Sequence, residues 1–241
     1  MSAAARKQGT ARRNTKWNLR RVGRLIVLLG VFVLFAPVPF IALFNIVQPP
    51  TTSVIMQRAV QRLFSGKRPV YPRRDVVGRK EISPNLRRAV LASEDDRFYL
   101  HNGFDLEELR KAIARRRAGG SLRGASTLTQ QVSKNIFLWN GRSFIRKGYE
   151  AWLTVWFEVL LPKERIIDLY LNLAEWGDGV FGAEAAARAH FGKGADQLTR
   201  EQAARLAAIL PSPRRWSARG SVATRRMAAI LQRMQYAPPR K

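Results

Sequence analysis

Apolar positions along this chain recur mostly at helical spacing, and one stretch departs from that pattern. From Leu25 to Phe44 the 20 residues LIVLLGVFVLFAPVPFIALF carry no charge. That length spans a hydrocarbon core of about 30 Å. A buried core helix is the competing explanation, but soluble core helices rarely run so far without one polar contact. Pro37 and Pro39 predict a kink, or a shortening of the regular part.

Gln48-Pro49-Pro50-Thr51-Thr52 breaks the span. Ser53 to Arg68, SVIMQRAVQRLFSGKR, follows as a basic amphipathic stretch. It suits a helix lying on a membrane surface, or the ordinary first helix of a domain. Pro69 to Ile82 reads as an extended connector, with Pro69, Pro72 and Gly78 as breakers.

The remainder reads as helix after helix. Ser83-Pro84 is an N-cap followed by proline at the first helical position. Asp105-Leu-Glu-Glu108 and Thr199-Arg-Glu-Gln202 have capping-box spacing. Pro211-Ser-Pro213 ends the Ala-rich helix after Thr199. A last amphipathic helix runs from about Val222 to Met234, with Met227, Ile230, Leu231 and Met234 on one face. Alternating strand patterns are scarce and there are no repeats, so the fold class is mainly α.

Composition changes this picture in two ways. The 241 residues suffice for one sizeable domain with appendages. The absence of cysteine excludes disulfides, thiolate metal sites and cysteine nucleophiles. The net charge of +26 fits either a nucleic-acid binder or a partner of an anionic membrane or lipid. The apolar span turns the balance toward the membrane. Arg6, Lys7, Arg12, Arg13, Lys16, Arg20, Arg21 and Arg24 precede it without one acid, and positive flanks stay cytoplasmic. Phe44-Asn45-Ile46-Val47-Gln48-Pro49 offers no small-x-small cleavage site, which favours an uncleaved signal anchor over a signal peptide.

Three segments carry candidate chemistry. In Glu94-Asp-Asp-Arg-Phe-Tyr-Leu-His-Asn-Gly-Phe-Asp105, Glu94 lies four residues after Val90. It is either an exposed helix-end acid or a carboxylate turned to a cleft, where it is costly unless paired or used. In Gly124-Ala-Ser-Thr-Leu-Thr-Gln-Gln-Val-Ser-Lys-Asn135, the residues Leu128, Val132 and Ile136 share one stripe. Thr127, Gln130, Gln131 and Lys134 share another. That second face suits hydrogen bonds to sugars with a cation for phosphate, or a polar packing surface. Arg115 to Gly124 reads as a flexible basic loop. In the third segment, Ser143 caps a helix reaching about Leu161, unusually apolar but for a stripe of Lys147, Glu150, Thr154 and Glu158. Arg146 and Lys147 favour ionised Glu150. The pair is either an intrahelical salt bridge of little worth or part of a cleft.

Taken in order, these segments resemble the peptidoglycan glycosyltransferase domain, family 51 of the glycosyltransferases. That domain is shared by bifunctional penicillin-binding proteins and single-domain membrane-anchored transglycosylases. The resemblance covers about Thr51 to Pro213. Its motifs are Glu94-Asp95 with Phe98, His101, Gly103 and Asp105; Gly124 to Gln131 with Lys134-Asn135; Arg146-Lys147 with Glu150; Arg165-Ile-Ile-Asp-Leu-Tyr-Leu-Asn172; and Glu175-Trp-Gly-Asp-Gly-Val-Phe-Gly182. Asp168 stands where the family commonly has Glu, one methylene shorter and equal in charge. The chain ends shortly after the domain, as in the monofunctional transglycosylases.

The resemblance implies a lysozyme-like glycosyltransferase domain with a smaller membrane-facing lobe, preceded by one transmembrane helix. The expected divisions are a basic cytoplasmic tail over 1–24, a transmembrane signal anchor over 25–47 and the catalytic domain over 48–241. The implied reaction polymerises lipid II into β-1,4-linked glycan with release of undecaprenyl pyrophosphate. Glu94 is then the general base and Glu150 the second catalytic carboxylate. Ser126, Thr127, Gln130, Gln131, Lys134, Asn135, Arg142, Arg146 and Lys147 bind substrate. His101 is a structural hydrogen-bonder rather than a metal ligand. No protein metal site and no required cofactor are expected, with room for a divalent cation, Mg or Mn, at the pyrophosphate. Expected partners are lipid II, the nascent glycan, the membrane and other wall-synthesis or division proteins, without nucleic acid. The expected place is the bacterial inner membrane, crossed once, with the catalytic domain periplasmic. The rival enzyme is a muramidase or lytic transglycosylase, which needs no cation cluster. The rival binder is a tethered nucleic-acid protein, suggested by charge alone.

Overall fold

The computed structural model describes residues 3–64, 73–120, 126–141 and 143–236, with side chains from Leu19 onward. Two compact units, Met1–Phe40 and Ile41–Lys241, divide the chain. The first is dominated by helix α1 (Ala3–Phe35). Its regular part stops at Ala36, whose N–H still reaches Phe32 O at 2.8 Å. Pro37 then opens α2 (Pro37–Leu43), at a helix start where its missing N–H leaves no ladder bond unmade. Leu19–Leu43, 25 residues, is long and apolar enough to cross a membrane. Its side chains are almost all exposed, where a soluble core helix would bury them.

The second unit is a mainly helical body. Its elements are α3 (Ser53–Phe64), α4 (Pro84–Glu94), α5 (Leu106–Arg117), α6 (Leu128–Phe137), α7 (Phe144–Leu160), α8 (Lys163–Leu173), α9 (Ala183–Phe191), α10 (Arg200–Ile209) and α11 (Ser221–Arg233). Among the described residues, strand is confined to β1 (Arg73–Arg74), β2 (Glu175–Gly177) and β3 (Val180–Phe181), in the order β1-β3-β2. β1 runs parallel to β3, and β2 antiparallel to it. The connector expected to be extended contains a 3₁₀ turn at Arg79–Glu81; residues 69–72 of it, and residues 65–68 of the basic stretch before it, lie outside the described residues.

The core gathers Leu86, Ala89 and Val90 of α4, Leu128, Val132 and Ile136 of α6, Leu153 and Phe157 of α7, and most of α8. The apolar stripe expected on α6 is therefore its buried face. Alanines at 183, 186, 187, 203, 204, 207 and 208 line α9 and α10, small enough for close helix approach. Ile41 and Phe44 belong to the same core, so this compact unit starts inside the apolar span. Arg165 fixes the chain there, donating to Phe44 O at 2.6 Å and Val47 O at 2.7 Å. Asp168 receives Arg79 Nε at 3.0 Å and Arg87 Nη1 at 2.6 Å, so the shorter acid still joins two cations.

Capping follows the sequence in most places. Ser83 caps α4, and Thr199 with Gln202 forms a complete box on α10. Asp105 caps α5 through Glu107 N and Glu108 N. Glu108 does not complete the expected box; its carboxylate pairs with Lys111 at 3.0 Å.

Helix α7 is apolar on both sides: Leu153 and Phe157 face the core, and other apolar side chains face outward. Phe144 is 99% and Ile145 84% exposed, and Val155 and Val159 also face outward. Of its polar stripe, Glu150, Thr154 and Glu158 point inward and Lys147 is exposed. Thr154 donates to Glu150 O at 2.7 Å. Glu158 accepts Thr129 Oγ1 at 2.5 Å and Lys163 Nζ at 2.9 Å. Gly103 packs against this stripe with φ +85°, and a Cβ there would lie 2.7 Å from Thr154 Cγ2. Both conditions require glycine.

Candidate active site

The acidic segment is fixed before it can act. Asp95 Oδ1 meets His101 Nε2 at 2.9 Å, and Asp95 Oδ2 accepts Leu128 N at 2.9 Å. Asp95 thus satisfies a free amide at the start of α6 and joins the end of α4 to it. His101 is a hydrogen-bonder in this arrangement. Thr127 Oγ1 donates to Gly103 O at 2.7 Å, a second tie between the same two segments.

Glu94, the last residue of α4, accepts one hydrogen bond from Gln131 Nε2 at 3.1 Å. Burial pushes its carboxyl above the usual range; the bond from Gln131, the Arg226 charge and the Ser93 hydroxyl act the other way, and Asp95 adds to the rise. No salt bridge to Glu94 occurs among the described residues. It is a desolvated acid with little compensation, the environment that suits proton transfer.

The second carboxylate sits in the opposite environment. Glu150, 3% exposed, takes Arg146 Nη1 on Oε2 at 2.6 Å and Lys147 Nζ closely on Oε1. Lys147 also reaches Ser126 Oγ at 3.4 Å. Lys134 is coupled electrostatically to the same group. Burial pushes its ammonium below the ordinary lysine range, Glu150 opposes that, and Arg146, Lys147 and Arg58 reinforce it. Arg58, on α3, is a further cation here that sequence reasoning missed. It bonds Glu175 with Nε and Nη2 at 3.1 Å, which ties α3 to the segment starting at β2. The basic amphipathic pattern of α3 was its only signal, and that pattern describes the outward face.

Helix α6 joins the two halves. Gln131 touches Glu94, and Lys134, three residues on, is coupled electrostatically to Glu150. Three residues are about 4.5 Å of helix axis. The residues assigned to this stretch separate accordingly. Ser126 is exposed, Asn135 half-buried, and Gln131 and Lys134 lie at the two centres. Thr127 and Gln130 do not face a cleft: they are 3% and 7% exposed and form a complete capping box on α6. The Thr-x-x-Gln spacing was the available signal for that role. Arg142, with Gly124 and Ala125, lies outside the described residues.

This arrangement offers a proton acceptor at one end and a cluster of cations at the other. It can deprotonate a hydroxyl beside a centre whose leaving group is anionic. Among the described residues no group of three His, Cys, Asp or Glu side chains is placed to hold a metal ion.

The chain is similar to known proteins over most of its length. The transglycosylase family model matches residues 60–235. A biosynthetic peptidoglycan transglycosylase of Pseudomonas fluorescens (strain SBW25) is 53% identical over 201 residues, 83% of each chain. One from Pseudomonas aeruginosa PAO1 is 47% identical over 218 residues, 90% of this chain and 94% of the relative. With 176 matched residues bearing both centres and the core beneath them, the chain belongs to the transglycosylase family.

Proposed function

We propose that this protein is a membrane-anchored peptidoglycan glycosyltransferase that polymerises lipid II into β-1,4-linked glycan and releases undecaprenyl pyrophosphate. The observation that carries the reading is the division between Glu94, desolvated and without a salt bridge among the described residues, and Glu150, held by Arg146 and Lys147 with the charge of Lys134 coupled to it. Glu94 accepts the proton of the acceptor's 4-hydroxyl as that oxygen attacks the donor's anomeric carbon. The cations stabilise the charge that grows on the departing pyrophosphate, and direct displacement inverts the centre. Ser126, Asn135 and Arg142 remain substrate contacts in this reading. A divalent cation, Mg or Mn, would be held chiefly by the substrate's own phosphates. A muramidase would have no use for the cation cluster.

Membrane attachment rests on the apolar Leu19–Leu43 helix and on a second feature. Met56, Val60, Leu63 and Phe64 form an exposed apolar stripe on α3, while Arg58 and Arg62 bond inward to Glu175 and Asp178. Such a helix lies in the interfacial region of a bilayer. The basic residues over 1–24 keep that end in the cytoplasm, the apolar helix is the anchor, and the compact unit that begins at Ile41 carries out synthesis in the periplasm.

The test is incubation of the purified chain with labelled lipid II. Polymer and undecaprenyl pyrophosphate are expected; soluble fragments released from finished wall, without polymer, would transfer the chain to the muramidase reading. A reporter fused at Lys241 should be active only outside the cytoplasm, and cytoplasmic activity would overturn the topology.

A further inference from the structure

Behind Glu94 lies a second hydrogen bond that the reaction does not use directly. Tyr170 Oη, on α8, donates to Gln131 Oε1 at 3.3 Å, and Gln131 Nε2 donates to Glu94 Oε2 at 3.1 Å. Tyr170 is 2% exposed. Burial, followed by the charges of Glu94 and Asp95, pushes its phenol well up, so it stays protonated and its buried O–H needs an acceptor.

A carboxamide has one donating end and one accepting end. The donating end favours a carboxylate; the accepting end favours the protonated acid. The reversed amide could pair with protonated Glu94, but its NH2 would then face the phenol oxygen and leave the phenolic proton without its acceptor. Tyr170 therefore selects the orientation in which Gln131 donates to Glu94.

We propose that Tyr170 and Gln131 are positioning residues that hold Glu94 as a carboxylate ready to accept the acceptor's proton. The inference rests on Glu94 being the general base. Neither residue gains or loses a proton in the step: the proton leaves the acceptor hydroxyl, the new C–O bond forms, and Glu94 carries the proton.

The surrounding charges do not replace this chain. Asp95, adjacent in sequence, opposes ionisation of Glu94 and is itself engaged by His101 and Leu128 N. Arg226, on α11, favours ionisation, with its guanidinium over the Trp216 ring at 5.5 Å. Ser93 adds a hydroxyl from α4. α8 contributes the neutral phenol of Tyr170, and α6 the neutral amide of Gln131.

The test is the pH profile of kcat/KM on lipid II for the full chain, its Tyr170→Phe, Gln131→Leu and double variants, and Glu94→Gln. Tyr170→Phe should move the acid limb to higher pH and leave the alkaline plateau within about twofold. A displacement of one unit is a roughly tenfold loss on the acid side. Gln131→Leu should move the limb at least as far. The double variant should move it no further than Gln131→Leu alone, because Tyr170 acts only through the amide. An unmoved limb in Tyr170→Phe, with or without a uniform fall in rate, overturns the proposal and reduces Tyr170 to packing. If Tyr170→Phe fails to fold, an unmoved limb in Gln131→Leu overturns it equally. Glu94→Gln separates the two levels: an active variant removes the base assignment, whereas an inactive one beside an unmoved Tyr170→Phe limb removes only the positioning role.

Discussion

Glu94 and Glu150 carry the same side chain, one half-buried and the other buried, with α6 between them, and their surroundings make them opposites. Glu94 meets neutral donors, Gln131 at 3.1 Å and the Ser93 hydroxyl, and burial raises its pKa. Glu150 has a guanidinium and an ammonium in contact. A carboxylate is defined here by what faces it. An acid left without a salt bridge is a proton acceptor of useful strength; one surrounded by cations is an anchor for those cations.

The comparison is broken most directly at Glu94. Glu94→Gln keeps the volume but cannot take a proton, so turnover of lipid II should fall by about 10²–10⁴-fold, with circular dichroism unchanged. Near-normal turnover would mean that the unpaired acid is not the base.

A smaller loss is expected at the opposite centre. Lys134→Met should reduce kcat more than it raises KM, because the leaving group's charge grows in the transition state. Loss of a charge-assisted contact is worth about 1.5–3 kcal/mol, at least roughly tenfold in rate. Arg110→Met on α5 serves as the surface control, and exposed single charges matter little. Equal mild effects at both positions would reduce the cluster to general membrane attraction.

The finest test uses pH. Lys134 must be protonated to act, its pKa is lowered by burial, and Glu150 opposes that lowering. Glu150→Gln should therefore move the alkaline limb of kcat to lower pH. The acid limb, set by Glu94 and lying above the ordinary glutamate range, should stay in place. Movement of the acid limb alone would exchange the roles of the two carboxylates.

Much of this division was legible before folding. The stripe of Leu128, Val132 and Ile136 follows from the helical period alone and is buried as that period requires. The same period does not distinguish a polar face that meets substrate from one that meets its own backbone, as the Thr127–Gln130 box does. Thr154 and Glu158 show the same ambiguity: their partners Ser133, Thr129 and Lys163 come from α6 and α8. Tyr170 and Gln131 are 39 residues apart, and no local pattern joins them. Arg58 reaches the Lys134 cluster from yet another helix. Local periodicity specifies which way a side chain points, whereas the group it meets depends on how the helices pack.

The outward apolar side of α7 has a practical consequence. Phe144, Ile145, Val155 and Val159 stand outward from a helix whose Thr154 and Glu158 are engaged inside. Cutting the chain after Phe40 would remove the long apolar helix and leave this surface intact. The trimmed protein should still require detergent and should self-associate as micelles are diluted away, which analytical ultracentrifugation across the critical micelle concentration would record. Its solubility is a property of the surrounding amphiphile as much as of the polypeptide.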